Sequence, residues 1–154
     1  MNKATTALCH VRATLSLLVA ASLLAGCSPP PEPPLKGAKI GGPFTLTDQR
    51  GKAVSDTDFA GQYRLIYFGY SFCPDVCPVD LQKLMQGLTR FEKQDAERGA
   101  KIAPIFITVD PARDTPAALA PFVARYHPRL LGLTGSEAAI AAAAKAFVVS
   151  YQKQ

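Results

Sequence analysis

The chain has 154 residues, 17 Lys and Arg against 12 Asp and Glu, and a formal net charge of +5. That length suits one domain with a core of its own, plus a leader or linker. The charges are mixed along the sequence with no basic block, which argues against nucleic-acid binding, since phosphate recognition needs clustered cations.

The first segment is an expected export signal. Lys3 and Arg12 give a positive start without acids, and the apolar run 13–25 is shorter than the roughly 20 residues that span a bilayer. It ends in Leu23-Leu24-Ala25-Gly26-Cys27, which resembles the bacterial lipoprotein signal. That resemblance implies removal of residues 1–26, lipidation of Cys27, and an exported protein anchored at a membrane on its periplasmic side. Cys9 would leave with the signal. Pro29 to Pro34 follow with only Glu32 between prolines, so residues 27–39 read as a linker. In polyproline II form the Pro-rich stretch spans roughly 20 Å.

The domain proper is expected over 40–154. Residues 44–47 and Ala53-Val54, joined by a turn with Asp48 and Gly51, predict a β-hairpin. Phe59 to Gln62 close this lead-in. Residues 64–70 read as a buried strand. Pro78 is expected to open a helix whose face carries Leu81, Leu84, Met85, Leu88 and Phe91, with Gly99 ending it. Residues 102–109 predict a second buried strand. The turn Asp110 to Pro116 leads into a helix reaching about Tyr126, with Asp114 or Thr115 as its N-cap. His127-Pro128 breaks it, residues 129–133 form a third strand, and Ser136 caps a helix from Glu137 to about Phe147. Residues 148–151 begin something strand-like. Strands alternating with helices predict an α/β fold with a parallel-type sheet.

Cys73 and Cys77 lie at the first strand-to-helix turn, in Cys73-Pro74-Asp75-Val76-Cys77-Pro78. A helix N-terminus stabilises thiolates there. In an extracytoplasmic compartment such a pair oxidises unless a metal or a reductase holds it. A structural disulfide closing so short a loop would add little. The placement is thioredoxin-like, but the spacing is Cys-x-x-x-Cys, which suits two sulfurs facing a metal as well as a redox disulfide. Soft metal site, redox pair, or both remain open on the residues alone. Asp110, at a strand's C-terminal end, is expected near this loop, where α/β sites usually lie; its ordinary role is local pairing with Arg113. Asp75 reads as a turn former. No motif around Cys73 supports a peroxide-reducing enzyme.

Residues 40–151 resemble the Sco/SenC copper chaperones of cytochrome c oxidase assembly. The resemblance rests on Leu65 to Tyr70 followed by Cys73 to Pro78, on Val109-Asp110-Pro111-Ala112-Arg113-Asp114-Thr115-Pro116, and on Leu131 to Gly135. It implies a thioredoxin-like fold with an N-terminal β-hairpin and copper held by Cys73 and Cys77. It also implies the copper-bearing subunit of the oxidase as partner, with a copper-donor chaperone or a thiol reductase upstream. The family's third ligand, a histidine beyond the third helix, has no counterpart before Gln154, and neither do the last antiparallel strands and C-terminal helix. The expectation is therefore a C-terminally shortened member that holds Cu(I) through two thiolates and Cu(II) poorly. His127 is expected exposed at a helix end, and no ligand. The activity implied is metallochaperone rather than enzyme, with a membrane-anchored thiol–disulfide reductase or a nonfunctional fragment as alternatives.

Overall fold

A computed structural model of the protein describes Glu32 and residues 36–152. The expected signal segment and Cys27 lie outside the described residues. In the unit Met1–Ala38, Lys36 pairs with Glu32 at 2.7 Å, an exposed contact of little energetic weight. The second unit runs from Lys39 onward and holds the elements described below.

The strands are β1 (Thr45–Asp48), β2 (Ala53–Ser55), β3 (Tyr63–Gly69), β4 (Ile102–Thr108) and β5 (Leu131–Thr134). The helices are α1 (Val76–Gln94), α2 (Ala96–Ala100), α3 (Pro116–Ala124) and α4 (Glu137–Ala146), and a 3-10 turn covers Asp56–Phe59. The sheet order is β2-β1-β5-β4-β3. β3, β4 and β5 are parallel, while β1 is antiparallel to both β2 and β5. The expected hairpin and α/β alternation are therefore present. Among the described residues no strand or helix follows α4, and no helix is long and apolar enough to cross a membrane.

Alternation along β4 builds two cores, because successive side chains point to opposite faces. Ile105 and Ile107 pack with Leu46, Leu133, Ile140 and Ala143, on the α4 side. Phe106 packs the other way, with Leu81, Met85 and Leu88 of α1 and Leu119, Phe122 and Val123 of α3. The Phe106 ring lies 5.1 Å from Phe122 and is stacked on Tyr67 at 6.3 Å. The result is a sheet between two helical layers, with β3 ending in the cysteine loop.

β3, expected as a buried strand, lies at the sheet edge and only its Gly69 is buried, and four further local expectations need correction. α1 starts at Val76, not Pro78, so Cys77 sits in its first turn. Gly99 does not end α1: the helix breaks at Asp95, whose side chain accepts from the N–H of Arg98 and starts α2. Gly99 lies within α2, where a Cβ would stand 2.9 Å from the Glu92 Cα. Close packing of α2 on α1, not helix termination, requires that glycine. Residues 148–151 are irregular rather than strand-like, and Val148 adopts φ 57°, the left-handed region β-branched residues avoid.

His127 is the fourth. It is buried, not exposed, and its Nδ1 accepts from the Arg129 N–H at 3.2 Å while Nε2 lies 3.3 Å from Glu92. Arg129 also pairs with Glu92 and donates to the carbonyls of Ile102 (2.8 Å) and Gly99 (2.9 Å). The hydrogen bond from Arg129 outweighs burial, which acts the other way, and with the contact to His127 holds the Glu92 carboxyl below its usual range. Two good partners let the imidazole leave solvent. Glu92 lies fifteen residues beyond Cys77 on α1, roughly 22 Å along the helix axis. His127 is accordingly remote from the cysteines.

Asp48 anchors the hairpin turn. It is fully buried, yet its carboxylate accepts from the backbone N–H of Arg50 (2.8 Å) and Lys52 (2.9 Å) and pairs with the Arg50 guanidinium at 2.9 Å. Burial alone would raise its pKa; the two N–H donors and Arg50 outweigh that and hold it below the ordinary carboxylate value. A depressed folded-state pKa adds stability that is complete above the unfolded value, about 3.9, and is lost as pH falls through the folded value. Asp48→Ala is therefore expected to cost about 1–3 kcal/mol near neutral pH by leaving those donors unpaired. The loss should narrow as the solution is acidified below about pH 4. Urea unfolding at a series of pH values checks this: a pH-independent difference would contradict the assignment.

Candidate metal and redox centre

The site is built where β3 meets α1. Gly69, the last residue of β3, is buried, and a Cβ there would lie 2.8 Å from Tyr67 Cε1, 3.2 Å from Phe106 Cε2 and 3.3 Å from Cys77 Sγ. The missing side chain leaves room for the Cys77 sulfur against the strand end. From Tyr70 the chain turns, with the Cys73 N–H donating to the Tyr70 carbonyl at 3.2 Å. It then enters α1 through Asp75, whose side chain makes no cap bond.

Cys73 takes that place instead. Its Sγ accepts the N–H of Cys77 at 3.4 Å, as an N-cap oxygen would. Both thiols are free. Cys77 is buried and Cys73 partly exposed. Burial would push the Cys73 thiol up, but hydrogen bonds from the Cys77 thiol, from the backbone N–H groups of Asp75 and Cys77, and from Tyr70 outweigh it and lower its pKa. Cys77 moves the other way: burial, then donation to Cys73, raise it against the Tyr70 backbone and Tyr67 hydroxyl. Tyr67 is itself pushed above the ordinary phenol range by burial and then by its bond to Cys77. Tyr70 is raised through its bond to Cys73. The pair is thus asymmetric, with a partly exposed thiol whose pKa is lowered and a buried one whose pKa is raised. Each sulfur has a tyrosine hydroxyl beside it.

Around the thiols, Phe72, Val76 and Val79 are exposed, three of the six large apolar side chains that face solvent among the described residues. Asp110 is joined to the cysteine loop through Arg113. It pairs with Arg113, whose guanidinium lies 5.7 Å from the Tyr70 ring centre and 5.3 Å from that of Phe72. Asp114, expected as a possible helix cap, is instead fully buried beneath the cysteine loop, and Thr115 caps α3 by accepting from the Ala118 N–H. Sequence reasoning missed Tyr67, Tyr70, Ser71 and Asp114. The tyrosines were legible only as apolar strand residues, and the link from Asp114 to Ser71 crosses 43 positions of sequence.

Two thiols side by side are soft donors and fit Cu(I), which accepts two sulfur ligands; Cu(II) asks for nitrogen ligands and a higher coordination number. Among the described residues no group of three or more His, Cys, Asp and Glu gathers.

The SCO1/SenC family model matches residues 32–154. The chain belongs to the SCO1/SenC family. The protein SCO2 homolog of Bos taurus mitochondria is 49% identical over 119 residues, covering 76% of this chain and 44% of the relative. The chain spans about half the length of the curated relatives it matches. The Bradyrhizobium japonicum ScoI structure with copper bound is 44% identical, with a TM-score of 0.68 over 75% of this chain and 71% of that one. A structure of BsSco, described by its disulfide switch and as a member of the Sco family of cytochrome c oxidase assembly proteins, is 30% identical. Its TM-score is 0.61 over 76% of this chain and 69% of that one. The thioredoxin-like fold expected from the sequence is that of these Sco relatives.

Proposed function

We propose that this SCO1/SenC member holds Cu(I) through Cys73 and Cys77 and passes it to the copper-bearing subunit of cytochrome c oxidase. The observation that carries this reading is the paired free thiols at the β3–α1 junction, with Cys77 N–H on Cys73 Sγ and Gly69 making room behind them. Copper is cargo here, so it must leave as readily as it arrives. Two sulfur ligands, one of them partly exposed, leave coordination positions through which a partner's thiolate can attack. Phe72, Val76 and Val79 would be covered as that partner closes on the site. A copper-bound Sco structure and a Sco protein of oxidase assembly among the relatives support the same direction. Export and lipid anchoring at Cys27, with a copper-donor chaperone or thiol reductase upstream, belong to this proposal.

The expected outcome of anaerobic titration is one Cu(I) bound per reduced chain in competition with a chromophoric chelator. Added Cu(II) should produce no strong sulfur-to-copper charge-transfer band. Failure to compete for Cu(I), or a tight Cu(II) complex with that band and no external ligand, would overturn the reading.

The asymmetry of the pair favours a second reading, a thiol–disulfide reductase that keeps partner cysteines reduced. The partly exposed Cys73, with its lowered pKa, would attack a partner disulfide, and Cys77 would then release the partner by displacing its thiolate from the mixed disulfide. Two electrons pass to the partner, whose thiols take up two protons, and this chain ends with a Cys73–Cys77 disulfide. Turnover with a disulfide substrate, without Cu(I) retention, would favour this alternative.

A further inference from the structure

A fully buried carboxylate lies beneath the cysteine loop with no cation within ion-pair distance among the described residues. Asp114 Oδ2 accepts from the Ser71 N–H at 2.9 Å and from the Thr108 hydroxyl at 2.6 Å, while Oδ1 accepts from the Ser71 hydroxyl. Thr108 Oγ1 in turn accepts the Asp110 N–H at 2.9 Å. Burying a charge without a counter-ion is unfavourable for stability unless it is fully hydrogen-bonded. Here all three donors come from two places, the end of β4 and the residue two before Cys73. A carboxylate accepts only, so it orients every donor that faces it. Both polar groups of Ser71 are aimed at one anion, which restricts the backbone and side chain of that residue together.

The same turn grips the neighbouring residues. Arg113, held by Asp110, lies over the rings of Tyr70 and Phe72. Residues 70, 71 and 72 are thus each bound to the segment 110–114, and Cys73 is hydrogen-bonded back to Tyr70.

We infer that the 110–114 turn is a clamp on the loop carrying Cys73, with Asp114 its central positioning residue. It holds the Cys73 sulfur facing Cys77 before any metal arrives. The copper part of this inference rests on the function proposed above; the effect on the thiol pair does not.

The test uses the reduced full chain and three variants, Ser71→Ala, Ser71→Thr and Asp114→Asn. Ser71→Ala deletes one donor, and Ser71→Thr retains the hydroxyl. Asp114→Asn turns one acceptor into a donor facing donors. Cu(I) affinity by chelator competition is expected to fall several-fold in Ser71→Ala and about 10- to 100-fold in Asp114→Asn, the range typical of lost outer-shell partners. Ser71→Thr should stay near wild type. In copper-free protein equilibrated with dithiothreitol buffers, Asp114→Asn, which frees the Cys73 sulfur from its place opposite Cys77, should shift the dithiol–disulfide equilibrium about tenfold toward the dithiol, ~30 mV less reducing.

Folded variants with wild-type copper affinity and wild-type dithiol equilibrium would overturn the clamp. If Asp114→Asn does not fold, the contrast between Ser71→Ala and Ser71→Thr decides. If the wild-type chain does not retain Cu(I), the proposed function falls, and the copper-free equilibrium alone decides the positioning role.

Discussion

Cys73→Ser is expected to cost roughly 10³-fold or more in Cu(I) affinity, about 4 kcal/mol, with little change in folding stability. The two effects separate because Cys73 does two jobs. As a ligand it is one of two soft donors, and a hydroxyl oxygen is a poor substitute for a thiolate toward Cu(I). Two residues ahead of the N-cap position Asp75, its sulfur also accepts the Cys77 N–H at 3.4 Å, and a serine hydroxyl there keeps an acceptor for that N–H. Cys77→Ser should abolish Cu(I) retention equally, but in a buried position beside Tyr67 it is expected to cost some stability too. Chelator competition paired with thermal melting reads both quantities on one sample. Unchanged affinity in either serine variant would show that the copper, if bound, sits elsewhere.

Phe106→Ala is expected to destabilise the domain by about 3–5 kcal/mol, the range for deleting a large buried ring. The ring is fully buried at the centre of the sheet, against Leu81 and Met85 of α1, Phe122 of α3 and the stacked ring of Tyr67. Total stabilities of about 5–15 kcal/mol make such a loss large, so the urea midpoint should fall sharply. The site should also feel the cavity, because Phe106 backs Tyr67, and Tyr67 hydrogen-bonds Cys77. A Phe106→Leu variant, which keeps most of the volume, should lose less stability and keep Cu(I) affinity closer to wild type. Equal losses in the two variants would show that the ring's packing is not what supports this end of the sheet.

Much of the architecture was legible in local pattern. The β4 strand, 102–108, could be read within the expected run 102–109 because all but Thr108 of its residues are apolar, three of them Ile, which leaves few alternatives to a buried strand. Ser136 and Thr115 could be read as caps because each accepts a hydrogen bond three residues on, a purely local interaction. The α1 start was misplaced because Pro78 is a strong local signal. The true start depends on a sulfur acting as cap, which no composition rule anticipates. Gly99 was misread for a related reason: glycine marks helix ends on average, but here it answers a 2.9 Å approach by Glu92 from the preceding helix. His127 was misplaced because its burial depends on Glu92, 35 positions away, and on Arg129.

Residue order alone specifies the chemistry available: two thiols four residues apart after an apolar strand, with a parallel α/β alternation around them. Spacing and residue type are local properties, and they suffice to name soft-donor or dithiol chemistry. Tertiary structure decided how that chemistry is held. Which thiol is buried follows from Gly69, whose missing side chain leaves room for the Cys77 sulfur at the strand end. The clamp of the cysteine loop comes from Asp114, and the exclusion of His127 from the site comes from the length of α1. The last two involve contacts across 43 and 35 positions of sequence. Such contacts form only when β3 and β4 pair and α1 folds back across them, so local pattern carries no trace of them.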